Sequence, residues 1–261
     1  MNIPVYQIDA FTDRPFAGNP AAVCPLDSWL EDELMQAIAA ENNLSETAFF
    51  VVNGNGGYDL RWFTPTAEVD LCGHATLATA SLIMETLTPE ADEVRFETRS
   101  GTLTVVREGN LFVMDFPALV ADEIEPPDGF ADAIGTAPVT FLRAIKNMAV
   151  FETEAQVRAI TPDFDYIAGL QGMGLIITAP GDSSDCASRY FAPQLGIDED
   201  PVTGSAHCTI VPYWAARLNK VQIYARQVSA RGGNLFCQLD GDRVRLGGQA
   251  VKFLSGRIDL P

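Results

Sequence analysis

Three side chains suited to proton transfer or nucleophilic attack occur in the first third of the chain: a carboxylate at Glu46, a thiol at Cys72 and an imidazole at His74. Glu46 begins the mostly apolar run 46–52, and strand alternation places it on the same face as Ala48. A carboxylate at the mouth of a buried strand loses hydration, which suits a general acid/base. The alternative is a solvated or loop-capping Glu46 that lies just before the strand.

The motif Cys72-Gly73-His74 precedes a run of small residues that predicts a buried helix. At a helix N-terminus the local field disfavours the imidazolium form, so a neutral His74 is expected to donate to a substrate or relay a proton. The same setting can lower the pKa of a thiol, so Cys72 is a candidate nucleophile. A structural histidine and a buried, inert cysteine remain the alternatives.

Two sequence blocks of the first half recur in the second half, in the same order. The first pair is offset by 128 positions and the second by 131, which indicates an internal duplication. The blocks are Arg61-Trp62-Phe63-Thr64-Pro65 with Cys72-Gly73-His74-Ala75, and Arg189-Tyr190-Phe191-Ala192-Pro193 with Thr203-Gly204-Ser205-Ala206.

Gly73 and Gly204 would each begin a helix in this duplicated arrangement. The N–H groups at a helix start are unpaired and attract anions, and glycine allows close approach of a ligand to the backbone. If the halves face each other across a pseudo-two-fold axis, both helix starts point into one cleft, which would suit a small carboxylate. The alternative is that the glycines only permit tight strand-to-helix turns.

The remaining candidates lie in the second half. Asp200 precedes the helix expected at 205–218, where an acid is either functional or simply solvated or capping. His207, inside that helix, is assigned a packing role. Two histidines do not supply a metal-ligand pattern, so no metal is expected. The five cysteines are scattered without a CxxC pair, which argues against a disulfide framework.

Composition limits the possible partners. The 261 residues include 17 basic and 35 acidic side chains, for a formal net charge of −18 and a pI near 4.3. Such a surface does not attract nucleic acid or an anionic membrane. We find neither an apolar run of the ~18–20 residues that span a bilayer nor an export signal, so a cytoplasmic location is expected.

Hydrophobic periodicity predicts short strands separated by a few helices. A helix is expected at 29–42, with Ser28 and Glu31 as a capping box and an apolar face that includes Leu34 and Ile38. The proline-rich and acidic segment 117–129 is interpreted as a linker. Strands are expected at 3–9, 47–52, 58–63, 94–98, 101–106, 111–116, 140–150, 174–178, 187–191, 223–228, 234–239 and 243–247.

Six stretches in this order resemble the phenazine-biosynthesis isomerase (PhzF-like) family, within the diaminopimelate epimerase-like superfamily. They are weak individually and specific together. The stretches are Ile8-Asp9-Ala10-Phe11, Phe16-Ala17-Gly18-Asn19-Pro20-Ala21-Ala22-Val23, Asn43-Leu44-Ser45-Glu46-Thr47, Arg61-Trp62-Phe63-Thr64-Pro65, Cys72-Gly73-His74-Ala75-Thr76 and Glu199-Asp200-Pro201-Val202-Thr203-Gly204-Ser205-Ala206.

The resemblance implies an α+β fold of two pseudo-symmetric domains, each a curled mixed β-sheet around a central helix, with the active site in the cleft between them. The domains would cover 1–117 and 118–249; whether 250–261 completes the first domain stays open. The resemblance also implies a cofactor-independent isomerase, commonly a homodimer, that acts on a small carboxylate-bearing metabolite. Its implied site residues are, for catalysis, Glu46, His74 and Asp200, and, for substrate binding, Gly73, Gly204, Ser205 and Asn19.

The chain also departs from the wider superfamily, whose racemases carry a cysteine at each helix start. Here the first position is Cys72 but the second is Thr203, so a two-thiol epimerase is not expected. Three hypotheses remain. The first is proton transfer between carbons by Glu46, the second is racemisation or acyl transfer through Cys72, and the third is a non-catalytic carboxylate-binding protein.

Overall fold

The computed structural model describes residues 1–260. Two compact units are present: Met1–Asp115 together with the described residues from Gly247 onward, and Phe116–Leu246. The strands are β1 Asn2–Ala10, β2 Asn19–Leu26, β3 Glu46–Val52, β4 Tyr58–Phe63, β5 Glu68–Val69, β6 Glu93–Thr98, β7 Gly101–Glu108, β8 Leu111–Pro117, β9 Asp122–Ile124, β10 Thr140–Arg143, β11 Asn147–Val150, β12 Leu175–Pro180, β13 Cys186–Phe191, β14 Gln222–Gln227, β15 Gly233–Asp240, β16 Arg243–Gly248 and β17 Ala250–Asp259. The α-helices are α1 Asp32–Asn42, α2 Gly73–Leu82, α3 Phe130–Ile134, α4 Glu154–Ala159, α5 Phe164–Ala168 and α6 Gly204–Leu218.

The first unit is a mixed sheet wrapped on a central helix. Strand β1 pairs with β2 and β17 in antiparallel fashion, and β2 pairs with β3 in parallel. Strand β3 then runs antiparallel to β4, which is parallel to β6. Helix α2 contacts β1, β2, β3 and β17. All of its residues after Gly73 are buried, so small side chains are required on every face.

Hydroxyl groups of this central helix are satisfied within the helix itself. The Oγ1 atom of Thr76 donates to the carbonyl of Cys72 at 2.6 Å, and that of Thr79 donates to Ala75 at 2.7 Å. Because both hydroxyls bond to the helix backbone, they can be buried without further partners. A π-helical turn at Ile83–Leu87 continues the helix.

The second unit repeats the arrangement around α6. Strand β11 is parallel to β12, β12 is antiparallel to β13, and β13 is parallel to β14. Helix α6 lies between β13 and β14 along the chain, as α2 lies between β4 and β6. Both units therefore contain the same strand–helix–strand crossover. This confirms the predicted α+β class, with a mixed sheet and a central helix in each domain.

Two local predictions need correction. Ser28 and Glu31 do not form a capping box, because the helix begins at Asp32 and Glu31 is an extended N-cap without a side-chain hydrogen bond. Trp29 and Leu30 instead pack against a cluster of apolar side chains under α1, which takes this segment out of the helix. The segment 117–129 is not simply a linker, since it contains β9, which pairs with β10.

Strand β2 was missed by the sequence analysis, since its residues Asn19–Leu26 include two prolines that weaken a strand prediction. Among residues 1–260, none of the helices combines the length and the apolar character needed to cross a bilayer.

Candidate active site

Glu46 is the first residue of β3, and it is only 8% exposed. Its strand is held in parallel register with β2, where Ala21 lies opposite Glu46. The preceding residue, Ser45, donates its hydroxyl to Oδ1 of the fully buried Asn19 at 3.0 Å. Asn19 therefore anchors the chain immediately before Glu46, and acts through that contact on the position of the carboxylate.

His74 occupies the first turn of α2 and faces this carboxylate. Its Nε2 lies 3.0 Å from Oε2 of Glu46, and their side chains are 6% and 11% exposed. Apart from this contact, neither atom has a hydrogen-bond partner within residues 1–260. Two buried polar atoms that lack hydrogen bonds can still accept or donate to a ligand.

The pKa values in this cluster follow from burial and from the Glu46 charge. Burial lowers the pKa of His74, but the neighbouring Cys72 and Glu46 together raise it well above its usual value. Burial, with the Glu46 charge, raises the pKa of Cys72 to about 11. Cys72 is therefore a neutral thiol near pH 7, and Glu46 is the anion that stabilises protonated His74. This direction is opposite to the neutral His74 expected from the helix field alone.

Cys72 completes the cluster on the other side of the imidazole ring. Its Sγ lies 3.5 Å from Nδ1 of His74. The thiol is 7% exposed. One ligand atom from each of Glu46, Cys72 and His74 lies within 4.8 Å of the others, and Zn²⁺ accepts such donors. However, His74 faces its two partners through different ring nitrogens, so a single ion could reach all three groups only if a side chain rotated.

The starts of the two central helices share one feature. Cys72 precedes α2 in extended conformation at φ −142° and ψ 107°, and Thr203 precedes α6 at φ −118° and ψ 100°. Neither side chain caps its helix. The first N–H groups at Gly73 and Gly204 therefore lack the usual side-chain acceptor, which is the condition for binding an anion at a helix start.

The second unit places Asp200 beside Thr203. The Thr203 hydroxyl donates to Oδ2 of Asp200 at 2.5 Å, and the buried Gln227 accepts from the Thr203 backbone N–H at 2.8 Å. Gln227 also donates to the Asp200 carbonyl at 2.7 Å. Gly204 is buried next to this network, whereas Ser205 is exposed. Asp200 is thus fixed close to the start of α6.

The other histidine has a different environment. His207 is fully buried, and its Nδ1 lies 2.8 Å from the Thr203 carbonyl oxygen. Burial lowers the pKa of His207 to about 4, so its imidazole is neutral near pH 7. This environment agrees with a packing role.

The sequence analysis missed two ion pairs, whose residues lie just before the two central helices, α2 and α6, along the chain. Arg61 contacts Glu68 through Nε and Nη2 at 2.7 and 2.8 Å, and Arg189 contacts Glu199 in the same way at 2.7 and 2.9 Å. Each guanidinium also lies over the phenylalanine two residues further on. The sequence contained a signal for these two ion pairs, because Glu68 precedes Gly73 by five positions and Glu199 precedes Gly204 by five positions.

The predicted site residues fall into two groups. Glu46 and His74 form one cluster with Cys72, and Asp200 joins Gly204 through Thr203. The first cluster belongs to the first unit and the second to the second unit. The expectation that both serve a single cleft stays a prediction.

Comparison with known proteins agrees with these features. The family model for phenazine biosynthesis-like proteins matches residues 8–256. A Pseudomonas aeruginosa protein named as an uncharacterized isomerase is 50% identical over 260 residues, with both chains covered completely. A crystal structure of a PhzF-family phenazine biosynthesis protein from Enterococcus faecalis superimposes with a TM-score of 0.97 at 45% identity, again over both complete chains.

A more distant similarity concerns the fold alone. A hydroxyproline epimerase from Agrobacterium vitis matches with a TM-score of 0.64 at 9% identity, covering 98% of this chain and 92% of the epimerase. The family match over nearly the whole sequence, the two close relatives and the repeated crossover around two central helices lead to one conclusion: the chain belongs to the phenazine biosynthesis-like (PhzC/PhzF) protein family.

Proposed function

We propose that the protein is a cofactor-independent isomerase that moves a proton between carbons of a small carboxylate, with Glu46 as the general acid/base. The observation that carries this proposal is the buried Glu46–His74 pair, whose facing atoms lie 3.0 Å apart and have no other hydrogen-bond partner among residues 1–260. A relative that is 50% identical carries the name isomerase, which supports the same reaction class.

In this mechanism Glu46 removes a proton from carbon, the electron pair of the broken C–H bond shifts along a conjugated system, and Glu46 returns the proton at another carbon. The reaction is redox-neutral and restores the carboxylate. His74, whose pKa is raised beside Glu46, donates from Nε2 to a substrate oxygen that gains charge. The uncapped helix start at Gly73 provides N–H donors for the substrate carboxylate.

General acid/base catalysis typically contributes about 10²–10⁴-fold to a rate. Positioning in a site that excludes water must supply the remainder. Glu46→Gln keeps the shape of the side chain but removes its basicity. Glu41→Gln is a matched control, because Glu41 is an exposed residue of α1.

The test is a screen of small carboxylates in D₂O, followed by NMR for deuterium bound to carbon. We expect at least one acid to exchange, and we expect Glu46→Gln to lower that rate by about 100-fold or more while Glu41→Gln does not. A folded Glu46→Gln variant with full exchange would refute the role of Glu46. A protein that binds carboxylates yet exchanges none of them would be a binding protein instead.

Thiol chemistry at Cys72 is the second candidate, and the contact between its Sγ and His74 favours it. Its raised pKa, about 11, opposes it, because little thiolate forms near pH 7. Cys72→Ser separates the two mechanisms. We expect this variant to keep exchange within about tenfold of the original, whereas a loss as large as that of Glu46→Gln would favour the thiol.

A further inference from the structure

Trp62 of β4 carries an indole N–H that is buried and has no acceptor. The residue is 1% exposed, and its Nε1 atom makes no hydrogen bond within residues 1–260. Burial removes water from a polar group, and a group without a replacement partner destabilises the fold. A buried tryptophan usually directs its N–H at an acceptor, so this donor requires an explanation.

Two comparable buried side chains do have partners. Trp214 of α6 donates from Nε1 to the hydroxyl oxygen of Thr178 at 3.0 Å. Tyr190 takes the place of Trp62 in the second of the repeated blocks, 128 positions later, and its hydroxyl donates to the Met173 carbonyl. The first unit therefore leaves open a donor whose equivalent in the second unit is satisfied.

The strand register places Trp62 on the sheet face that carries Glu46. Trp62 pairs with Ala48, which lies two residues after Glu46 and therefore on the same face of β3. Diagonal neighbours on one face of an antiparallel pair are roughly 7–8 Å apart, within reach of an aromatic side chain. The adjacent residues Phe49 and Phe63 point to the opposite face, where they pack with residues of α1.

Helix α2 covers the face that carries Glu46. The helix contacts β3, and Nε2 of its His74 lies 3.0 Å from Oε2 of Glu46. Among residues 1–260 these two atoms have no partner other than each other. This face thus holds three buried polar atoms that are available to a ligand. A dry site of this kind discriminates between ligands by whether they supply the missing partner.

We propose that Trp62 is a substrate-binding residue of the Glu46 site, and that its indole N–H donates to a substrate oxygen outside the carboxylate. The inference rests on the proposed isomerase function and narrows its substrates to small acids with a further oxygen, such as a hydroxyl. An indole N–H donates and cannot accept, so its partner is an acceptor oxygen and not an ammonium group. A Trp62 that only fills the core would make no such distinction.

The test compares acids that differ by one oxygen: lactate with propionate, 3-hydroxybutyrate with butyrate, and malate with succinate. Each pair is offered in D₂O to the original protein and to protein in which 3-benzothienylalanine replaces Trp62. This analogue has sulfur in place of the indole N–H and nearly the same shape. In any pair that exchanges, we expect the hydroxy acid to react at least about 10-fold faster with the original protein, and this preference to disappear in the sulfur variant.

The ratio of the two rates separates a direct contact from a structural role. Loss of a structural contact would slow both acids of a pair equally and leave their ratio unchanged. A preference that the sulfur variant retains, or a hydroxy acid that reacts no faster than its partner, would overturn the proposal.

Indole NMR keeps this test separate from the isomerase proposal. The chain has three tryptophans, whose ¹⁵N indole signals are assigned with Trp29→Phe, Trp62→Phe and Trp214→Phe. The hydroxy acid of at least one pair should move the Trp62 signal downfield and saturably, as a hydrogen bond to the N–H requires. The Trp214 signal should stay in place, because that N–H is already bonded to Thr178. Such a shift without deuterium exchange would support Trp62 as a ligand contact and refute the isomerase, whereas a Trp62 signal that ignores all six acids would overturn the inference.

The stability of the ligand-free protein is an independent readout. Benzothienylalanine at Trp62 removes no hydrogen bond, so the urea midpoint should stay the same or rise. The same replacement at Trp214 removes the bond to Thr178 and should lower the midpoint. An equal loss at both positions would show that the N–H of Trp62 already has a partner in the folded chain, which would end the case for a ligand there.

Discussion

The Nε2 atom of His74 lies 3.0 Å from Oε2 of Glu46, and neither of these buried atoms has another hydrogen-bond partner in the part of the chain that the structure describes. The two residues come from the starts of different elements, β3 and α2. Since the carboxylate stabilises the imidazolium, each group affects the protonation of the other. The pKa of His74 can therefore be used to test this pair in the absence of any substrate.

Glu46→Gln should lower the pKa of His74, because the amide removes the negative charge while burial remains. NMR titration of the two imidazoles measures this directly, and His207 is an internal control whose pKa, about 4, should not change. Cys72→Ser should also lower this pKa, because the contact with Cys72 is the other cause that raises the pKa of His74. A His74 pKa that follows Cys72→Ser and not Glu46→Gln would contradict the assignment of Glu46 as the counter-ion.

Burial of His207 should make the protein lose stability in mild acid. The pKa of His207 falls from about 6.5 in the unfolded chain to about 4 in the folded one, so the unfolded state binds more protons between these values. The free energy of unfolding should therefore decrease as pH falls from 6.5 to 4, by roughly 3 kcal/mol, and then level off with respect to this group.

Urea unfolding of the protein and of His207→Gln across this pH range checks that prediction. The variant loses the contact of Nδ1 with Thr203 at every pH, but its stability should depend less on pH between 4.5 and 6.5. His74 has a raised pKa and is protonated in the folded state over that range, whereas the unfolded chain begins to lose its His74 proton near pH 6.5. This contribution is the same in both proteins, so it cancels when the two pH profiles are compared. Parallel pH profiles of the two proteins would show that His207 is not the group responsible.

The repeated arginines should differ in their contribution to stability. Arg189→Met should destabilise the fold by about 2–3 kcal/mol, because it leaves Glu199 unpaired and removes donors from two backbone carbonyls. Arg61→Met should cost less, about 1–2 kcal/mol, because Arg99 still contacts Glu68 at 2.7 Å.

Denaturant unfolding of both variants tests this order. Arg95→Met is the matched control, since Arg95 forms an exposed pair with Glu93 and its loss should change the stability by less than about 0.5 kcal/mol. Equal costs for Arg61→Met and Arg189→Met would show that the additional contacts of each arginine are unimportant.

Lys146, in the turn between β10 and β11, is 6% exposed, and burial lowers its pKa. Lys146→Met should stabilise the protein by about 1 kcal/mol or more, because methionine fills a similar volume and carries no charge to dehydrate. The folded pKa of Lys146 is depressed, so the unfolded state binds more protons as the pH rises towards the usual lysine value. The stabilisation should therefore be greatest near neutral pH and shrink in alkali. Thermal unfolding at neutral and alkaline pH, with Lys252→Met as control, measures it; a destabilised variant would argue for a structural lysine.

Much of the architecture was predictable because it depends on local patterns. The apolar run after Glu46 predicted β3, and the repeated blocks around Gly73 and Gly204 predicted two equivalent helices. Helix starts are harder to place from propensity when apolar side chains compete for burial. Trp29 and Leu30 illustrate this at α1, where packing outweighs the capping pattern.

The sequence alone predicted the duplication, most of the element types and the candidate residues Glu46, His74 and Asp200, because these predictions follow from repeats, periodicity and motif order. Only the tertiary structure decided that Glu46 faces His74, that the Glu46 charge opposes the helix field there, and that Lys146 is buried. Such facts depend on distances between residues far apart in the chain, and electrostatic energies change with distance and burial rather than with sequence position.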